Sequence, residues 1–284
     1  MILRDGATAA SAQEALRIAH TEVPNAFNAA IGNTMRDSYL EHVDKLESRL
    51  GNVLERPSIS GLLHTPRYWH IAAASATVND DPTALRISNA AVSQEIEALR
   101  SRLESAHDQF ARLAAWLARP GLLTLIDTNI LMHCQPPNQI DWSTELKTHG
   151  VTRDCPPRLV VPLAVVDELD RKKFEGADTQ RRKAQAAIRA LRALRHGVGP
   201  DEPALFDAAG GSRASLEIPR DDVGRTRLPA TDDELIAFGQ FVARAGNRPA
   251  VLVTRDYGAE VRAARAGLKP VWLDEKYRKD QDAH

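Results

Sequence analysis

Cysteine is nearly absent: Cys134 and Cys155 are the only two among 284 residues. One pair without CxxC spacing cannot build a disulfide framework, and its scarcity fits a reducing compartment. Counting His133 with Cys134 and Cys155 gives no standard zinc spacing either. Aromatic residues amount to 5%, so base-stacking platforms are expected to be few, and Trp69, Trp116, Trp142 and Trp272 are expected in the core. There is no run of 18 apolar residues, and the opening MILRDGATAASAQEALRIAH has no basic stretch followed by an apolar core. The expectation is a cytoplasmic protein without a membrane partner. Neither GxxxxGK[ST] nor GxGxxG occurs, which leaves a phosphate-loop nucleotide fold without its glycines. Charge of one sign is missing too: 37 Lys and Arg stand against 38 Asp and Glu. That balance excludes a uniformly basic coat for nucleic acid, though not a local concentration of charge.

What the chain does contain falls into two grammars. Residues 1–119 read as successive helices broken by Pro24, Gly51, Pro57, Gly61, Pro66 and the Asp80-Asp81-Pro82 turn, a helical region of unknown role. Its longest segment, Pro82 to Arg119, places Val92, Ile96, Leu99, Leu103, Ala106, Phe110, Leu113 and Leu117 at alternating steps of four and three. All eight share one stripe, suited to an intramolecular bundle or to a coiled-coil homodimer. Pro120-Gly121 ends the helix.

Beyond that break, short apolar runs alternate with helical stretches. Leu122 to Ile126, Leu159 to Val161, Val251 to Thr254 and Pro270 to Leu273 read as strands covered on both faces. Helical periodicity covers Leu163 to Lys173, Asp178 to Leu194, Asp232 to Ala245 and Ala259 to Ala266. This alternation predicts an α/β fold, a parallel sheet flanked by helices over residues 122–275, followed by a polar tail at 276–284. Ligands of such sheets sit beyond the C-terminal ends of the strands.

Acids stand at those ends. Asp127 follows the first strand, and Asp256 follows Val251 to Thr254 with Arg255 between. Glu168 lies in the second turn of the helix after Val161-Pro162. Asp232 and Asp233 open a helix for which Thr231 is a natural N-cap. Ile236 and Ala237, three and four residues on, are expected to carry Asp233 toward the core, leaving Asp232 solvated. Converging carboxylates repel unless a cation neutralises them, and an all-oxygen donor set suits Mg²⁺ or Mn²⁺. Thr128, Asn129 and Thr254 are neutral groups able to orient metal-bound waters. An aspartyl-phosphate phosphatase would need a second acid where Asn129 stands.

Four pieces in order carry a family resemblance: Leu125-Ile126-Asp127-Thr128-Asn129-Ile130-Leu131; Val160-Val161-Pro162 with Val166-Asp167-Glu168-Leu169-Asp170; Asp232-Asp233-Glu234-Leu235-Ile236-Ala237; and Val251-Leu252-Val253-Thr254-Arg255-Asp256. Together they resemble the PIN domain, a family of metal-dependent nucleases that includes VapC-type toxins and the domain attached to PhoH-type ATPases. The resemblance implies Mg²⁺- or Mn²⁺-dependent endoribonuclease activity, with Asp127, Glu168, Asp233 and Asp256 as the acidic set, Asn129 as polar partner and Thr254 as the hydroxyl before the last acid. Thr231 replaces the Asn common before the paired acids. The segment from Gly197 to Pro229 is long for a connection and reads as an inserted hairpin or flap.

A basic stretch accompanies the acids. Arg171, Lys172, Lys173, Arg181, Arg182, Lys183, Arg189, Arg192 and Arg195 face only Glu175 and Asp178 between residues 171 and 195. With Ala184, Ala187, Ile188, Leu191 and Leu194 on the inner side, these cations are directed outward, where they suit the backbone of single-stranded RNA. A toxin held by an antitoxin or regulatory protein, and an inactive RNA-binding scaffold, are alternative readings of the same residues.

Overall fold

The computed structural model describes residues 1–24, 35–74, 82–151, 155–221 and 227–279. Asp80, Asp81 and residues 280–284 of the polar tail lie outside them. The chain forms two compact units, Met1–Ala118 with Arg244–Gly246, and Arg119–Ala243 with Asn247–His284.

The first unit is helical among its described residues: α1 (Ala9–Glu22), α2 (Met35–Leu50), α3 (Arg56–Leu63), α4 (Pro66–Ala73) and α5 (Pro82–Ala118). Thr8 caps α1 through a reciprocal bond with Ser11, satisfying donors that the first turn leaves open. Seven of the eight stripe residues on α5 are buried, Leu113 being the partly exposed one. The stripe packs against the other helices of its own unit, α1 foremost, so the intramolecular bundle accounts for its pattern. The core also encloses Glu95, which accepts from Thr65 Oγ1 at 2.9 Å and Arg102 Nη2 at 2.6 Å. Trp142 is buried, but Trp69 is 57% exposed, against the expectation for that tryptophan. Its helix, α4, has eight residues and buries only Tyr68 and Ile71.

The second unit is built on six strands: β1 (Leu122–Ile126), β2 (Pro157–Val160), β3 (Ala204–Asp207), β4 (Arg213–Glu217), β5 (Ala250–Thr254) and β6 (Lys269–Trp272). Their order is β3-β4-β2-β1-β5-β6, parallel except for the antiparallel β3-β4 pair. The segment expected to be an insertion contains that hairpin, with Gly210 and Gly211 at φ 74° and 76° in its turn. It is part of the sheet, since β4 pairs with β2; residues 222–226 of the segment are outside the described chain.

Helices α6 (Thr128–His133), α7 (Trp142–Thr148), α8 (Leu163–Lys172), α9 (Asp178–Leu194), α10 (Thr231–Ala245) and α11 (Tyr257–Arg265) complete the unit. Every residue of β1 and β5 is buried, as continuous apolar strands between helical layers require. Gly239 lets α10 lie close to its neighbours: a Cβ there would meet Leu268 Cδ1 at 2.7 Å. At the entry to β1, Gly121 has φ +119°, and a Cβ would stand 2.6 Å from Arg158 Cγ. Arg158 is held in turn by Glu217, at 2.8 and 3.0 Å, a buried bidentate pair tying β2 to β4.

Candidate active site

From β1 the chain proceeds to β2 and β4 on one side, then returns to place β5 and β6 on the other. The crevice at the C-terminal ends of β1 and β5 is therefore the switch point of the sheet, where open α/β folds bind ligands. Asp127 sits in it, 1% exposed. Register places Ile126 beside Val253, so the residues after them meet: Thr254 Oγ1 donates to Asp127 Oδ2 at 2.7 Å. Asp127 Oδ1 accepts the Asn129 N–H at 3.3 Å as the N-cap of α6. Burial pushes the Asp127 carboxyl up to about 6, against these two bonds, and the negative charges of Asp232 and Glu168 add to the rise.

Glu168, half-buried on α8, accepts from Thr128 Oγ1 at 2.6 Å and pairs with Lys172 Nζ at 2.8 Å. Burial raises its carboxyl, but Lys172 and Thr128 outweigh that and hold it below the ordinary value. Asp256 caps α11, accepting Ala259 N–H at 2.8 Å, while its own N–H donates to Thr254 Oγ1 at 3.0 Å. Thr254 thus links Asp127 and Asp256. Burial raises Asp232 as well; Arg262 opposes this, and Asp256, Glu168 and Asp233 reinforce it.

The paired acids of α10 are disposed opposite to expectation. Asp233 is exposed and Asp232 half-buried, and it is Asp232 whose charge acts on Asp127. The reason is helical phase. Asp232 shares its face with Leu235 and Ile236, both buried, whereas Ala237 on the Asp233 side is not. The helix also begins at Thr231 rather than after it, Ala230 O accepting Glu234 N–H at 3.0 Å. Arg262 of α11 reaches both acids, at 3.1 Å to Asp232 and 3.3 Å to Asp233.

These carboxylates influence one another, yet among the described residues no three His, Cys, Asp or Glu side chains form a group that could hold a metal ion as placed. Each is turned instead toward a hydroxyl, a backbone N–H, Lys172 or Arg262. As chemistry the donors are hard oxygens with mutual repulsion, the set that Mg²⁺ and Mn²⁺ select.

A scan against family models matches the PIN domain over residues 124–272, just over half of the chain. The chain belongs to the PIN domain family. The match runs from within β1 to the end of β6 and includes Asp127, Glu168, Asp232, Asp233 and Asp256, and PIN domains are generally metal-dependent nucleases. No curated protein sequence matches the chain.

The basic stretch of this PIN domain occupies the end of α8 and all of α9. Arg181, Arg182 and Arg192 are exposed, and Ala184, Ala187 and Leu191 are buried beneath them. Several of these cations have acidic partners: Lys172 with Glu168, Lys173 with Asp170 at 2.5 Å, Arg171 with Glu175 at 3.9 Å, and Arg181 with Asp178. Lys183 instead approaches His133, Nζ to Nδ1 3.4 Å. Three features of the site escaped the sequence. Arg262 looks like any other outward arginine of α11 until Asp232 is seen opposite it. Tyr257, 74% exposed, directly follows Asp256, and Phe174, 73% exposed, directly follows Lys173; their position beside the acids and bases was the available signal.

Proposed function

We propose that the PIN domain is a metal-dependent endoribonuclease that hydrolyses phosphodiester bonds of single-stranded RNA. What supports this reading is the match to the PIN domain over residues 124–272 together with the geometry at the switch point, where Thr254 Oγ1 bonds both the Asp127 carboxylate and the Asp256 N–H, Thr128 Oγ1 bonds Glu168, and Asp232 and Glu168 add to the rise of the buried Asp127 carboxyl. Such mutual destabilisation is relieved by a divalent cation. Asp127, Glu168, Asp256 and the Asp232-Asp233 pair are the residues that would hold Mg²⁺ or Mn²⁺. When bound, the ion supplies a nucleophilic water near neutral pH and charge stabilisation for the displacement.

The chain's own groups divide the remaining work. Thr254 favours the ionised form of Asp127 against its burial, Thr128 and Lys172 do so for Glu168, and Asn129, two residues after Asp127, is placed to orient solvent. Arg262 limits the charge of Asp232 and Asp233. Exposed Arg171, Arg181 and Arg182, with Lys172, Lys173 and Lys183 beside them, attract the phosphate backbone. No covalent nucleophile is needed.

The test is cleavage of end-labelled single-stranded RNA, matched DNA and duplex RNA, each in Mn²⁺, Mg²⁺ and EDTA. Metal-dependent internal cuts in single-stranded RNA are expected. Cleavage that survives EDTA, or binding with no cleavage under any condition, contradicts the proposal.

A further inference from the structure

The far end of α6 carries a second charged site. His133 is its last residue, and Lys183 of α9 stands 3.4 Å from its Nδ1. Lys279 enters from the segment after β6: its N–H donates to His133 O at 2.9 Å, and its Nζ lies 3.4 Å from the carbonyl oxygens of Leu131 and Met132. Arg278, in a backbone bridge with Cys134, adds a further cation alongside. Three segments remote in sequence thus bring an imidazole and two ammonium groups together, all three partly buried.

No carboxylate of the described residues pairs with His133, Lys183 or Lys279, whereas Lys172, Lys173 and Arg181 each have one. Lys279 Nζ has only the Leu131 and Met132 carbonyls and Lys183 only the His133 ring as polar partners among the described residues, and Arg278 beside them has an acid, Glu275 at 3.9 Å, so the cluster carries excess positive charge. Burial, then Lys183, Lys172, Lys279 and Arg278, hold the imidazole below its ordinary value. Burial and the Lys183 charge likewise depress Lys279, against an opposing effect of Cys134. An anion placed among these groups would reverse that repulsion.

Position identifies the anion. Asp127 caps one end of α6 and His133 closes the other, about 9 Å apart along the axis at ~1.5 Å per residue. That is on the order of one nucleotide step of an extended strand. We propose that His133, Lys183 and Lys279 form a phosphate-binding subsite that grips the phosphodiester adjacent to the one being cut. The inference rests on the nuclease reading and adds a substrate feature to it: recognition of a neighbouring backbone phosphate, independent of base identity.

Binding is measured without catalysis, in EDTA. One arm follows the His133 ring by NMR pH titration with and without inorganic phosphate, the signal being assigned by its loss in His133→Gln. The second measures anisotropy of a labelled oligouridylate over a salt series for wild type, Lys183→Ala, Lys279→Ala and Lys183→Arg. Phosphate is expected to raise the His133 midpoint by about one unit, as a close opposite charge does. Each alanine variant should flatten the log-log salt slope by about 0.7, one single-strand phosphate contact, while Lys183→Arg keeps the wild-type slope.

An unmoved His133 midpoint overturns the subsite, and the wild-type titration gives that answer even if a variant fails to fold. A midpoint that moves with phosphate while both salt slopes stay unchanged also overturns it, as an adventitious ion only. The nuclease reading fails separately: oligouridylate bound through these lysines but never cut in Mn²⁺ supports the subsite and removes the enzyme. Cleavage with neither effect removes the subsite alone.

Discussion

Thr254 donates its hydroxyl to Asp127 at 2.7 Å across the ends of two neighbouring parallel strands. The same oxygen accepts the N–H of Asp256 at 3.0 Å, so one threonine fixes the orientation of two acids on different strands. It also opposes the burial that lifts Asp127 to about 6.

Replacing Thr254 by Val removes that opposition while keeping a β-branched shape. The Asp127 carboxyl should rise further, and the acid limb of the cleavage pH profile should move up by about one unit. Thr254→Ser should leave the limb in place. The lost bond to a charged group costs about 1.5 to 3 kcal/mol in the ionised state, read from urea denaturation at pH 8.

Asp127 also makes the metal-free protein pH-sensitive. A carboxyl at about 6 in the fold, against 3.8 for its ordinary value, binds its proton more tightly folded than unfolded. Its effect on stability is therefore most favourable below about pH 4 and declines as the pH rises toward and through 6. The loss by pH 7.5 is roughly 3 kcal/mol at 1.36 kcal/mol per unit. Asp127→Asn abolishes this component, so in EDTA at pH 7.5 the variant should melt above wild type and at pH 4.5 the gap should narrow. Mn²⁺ should raise the melting temperature of wild type by linkage and leave the variant nearly unmoved.

Asp232 and Asp233 should separate on substitution. Asp232→Asn removes a charge that acts on Asp127 and should weaken Mn²⁺ binding tenfold or more, about 1.4 kcal/mol, in calorimetric titration. Asp233→Asn, on the exposed side of α10, should change it less than about threefold.

Gly121→Ala tests the frame beneath the site. The residue has φ +119°, and its Cβ would lie 2.6 Å from Arg158 Cγ and 2.7 Å from Pro156 O. Backbone strain and displacement of the Arg158–Glu217 pair should destabilise the domain by ~2 kcal/mol or more, measured by urea denaturation.

The sheet was legible wherever strands are continuously apolar: β1 matches its expected bounds, β5 starts one residue earlier, and β2 and β6 differ by one or two residues at each end. Helix α9 was legible to the residue from its amphipathic stripe. The β3-β4 hairpin was anticipated only as one reading of Gly197 to Pro229 and not as part of the sheet, because Ala204–Asp207 and Arg213–Glu217 mix polar and apolar residues at its edge and only Gly210-Gly211 marked a turn. Helices α6 and α7 span six and seven residues, too short for periodicity to reveal. For the candidate site, strand ends located Asp127 and Asp256, since a parallel sheet fixes where its C-terminal edge lies. The phase of α10 was misjudged because Ala237 is a weak indicator of a buried face. The grouping of His133, Lys183 and Lys279 depends on three distant segments meeting, which no local spacing records.

The most direct test compares wild type and Asp127→Asn on one labelled single-stranded RNA in Mn²⁺ at pH 7.5. The variant should retain its fold and RNA affinity while cleavage falls by at least about a hundredfold, as expected when a group that holds the reacting centre is lost. Equal cleavage by the two proteins would contradict a metal-dependent nuclease centred on Asp127.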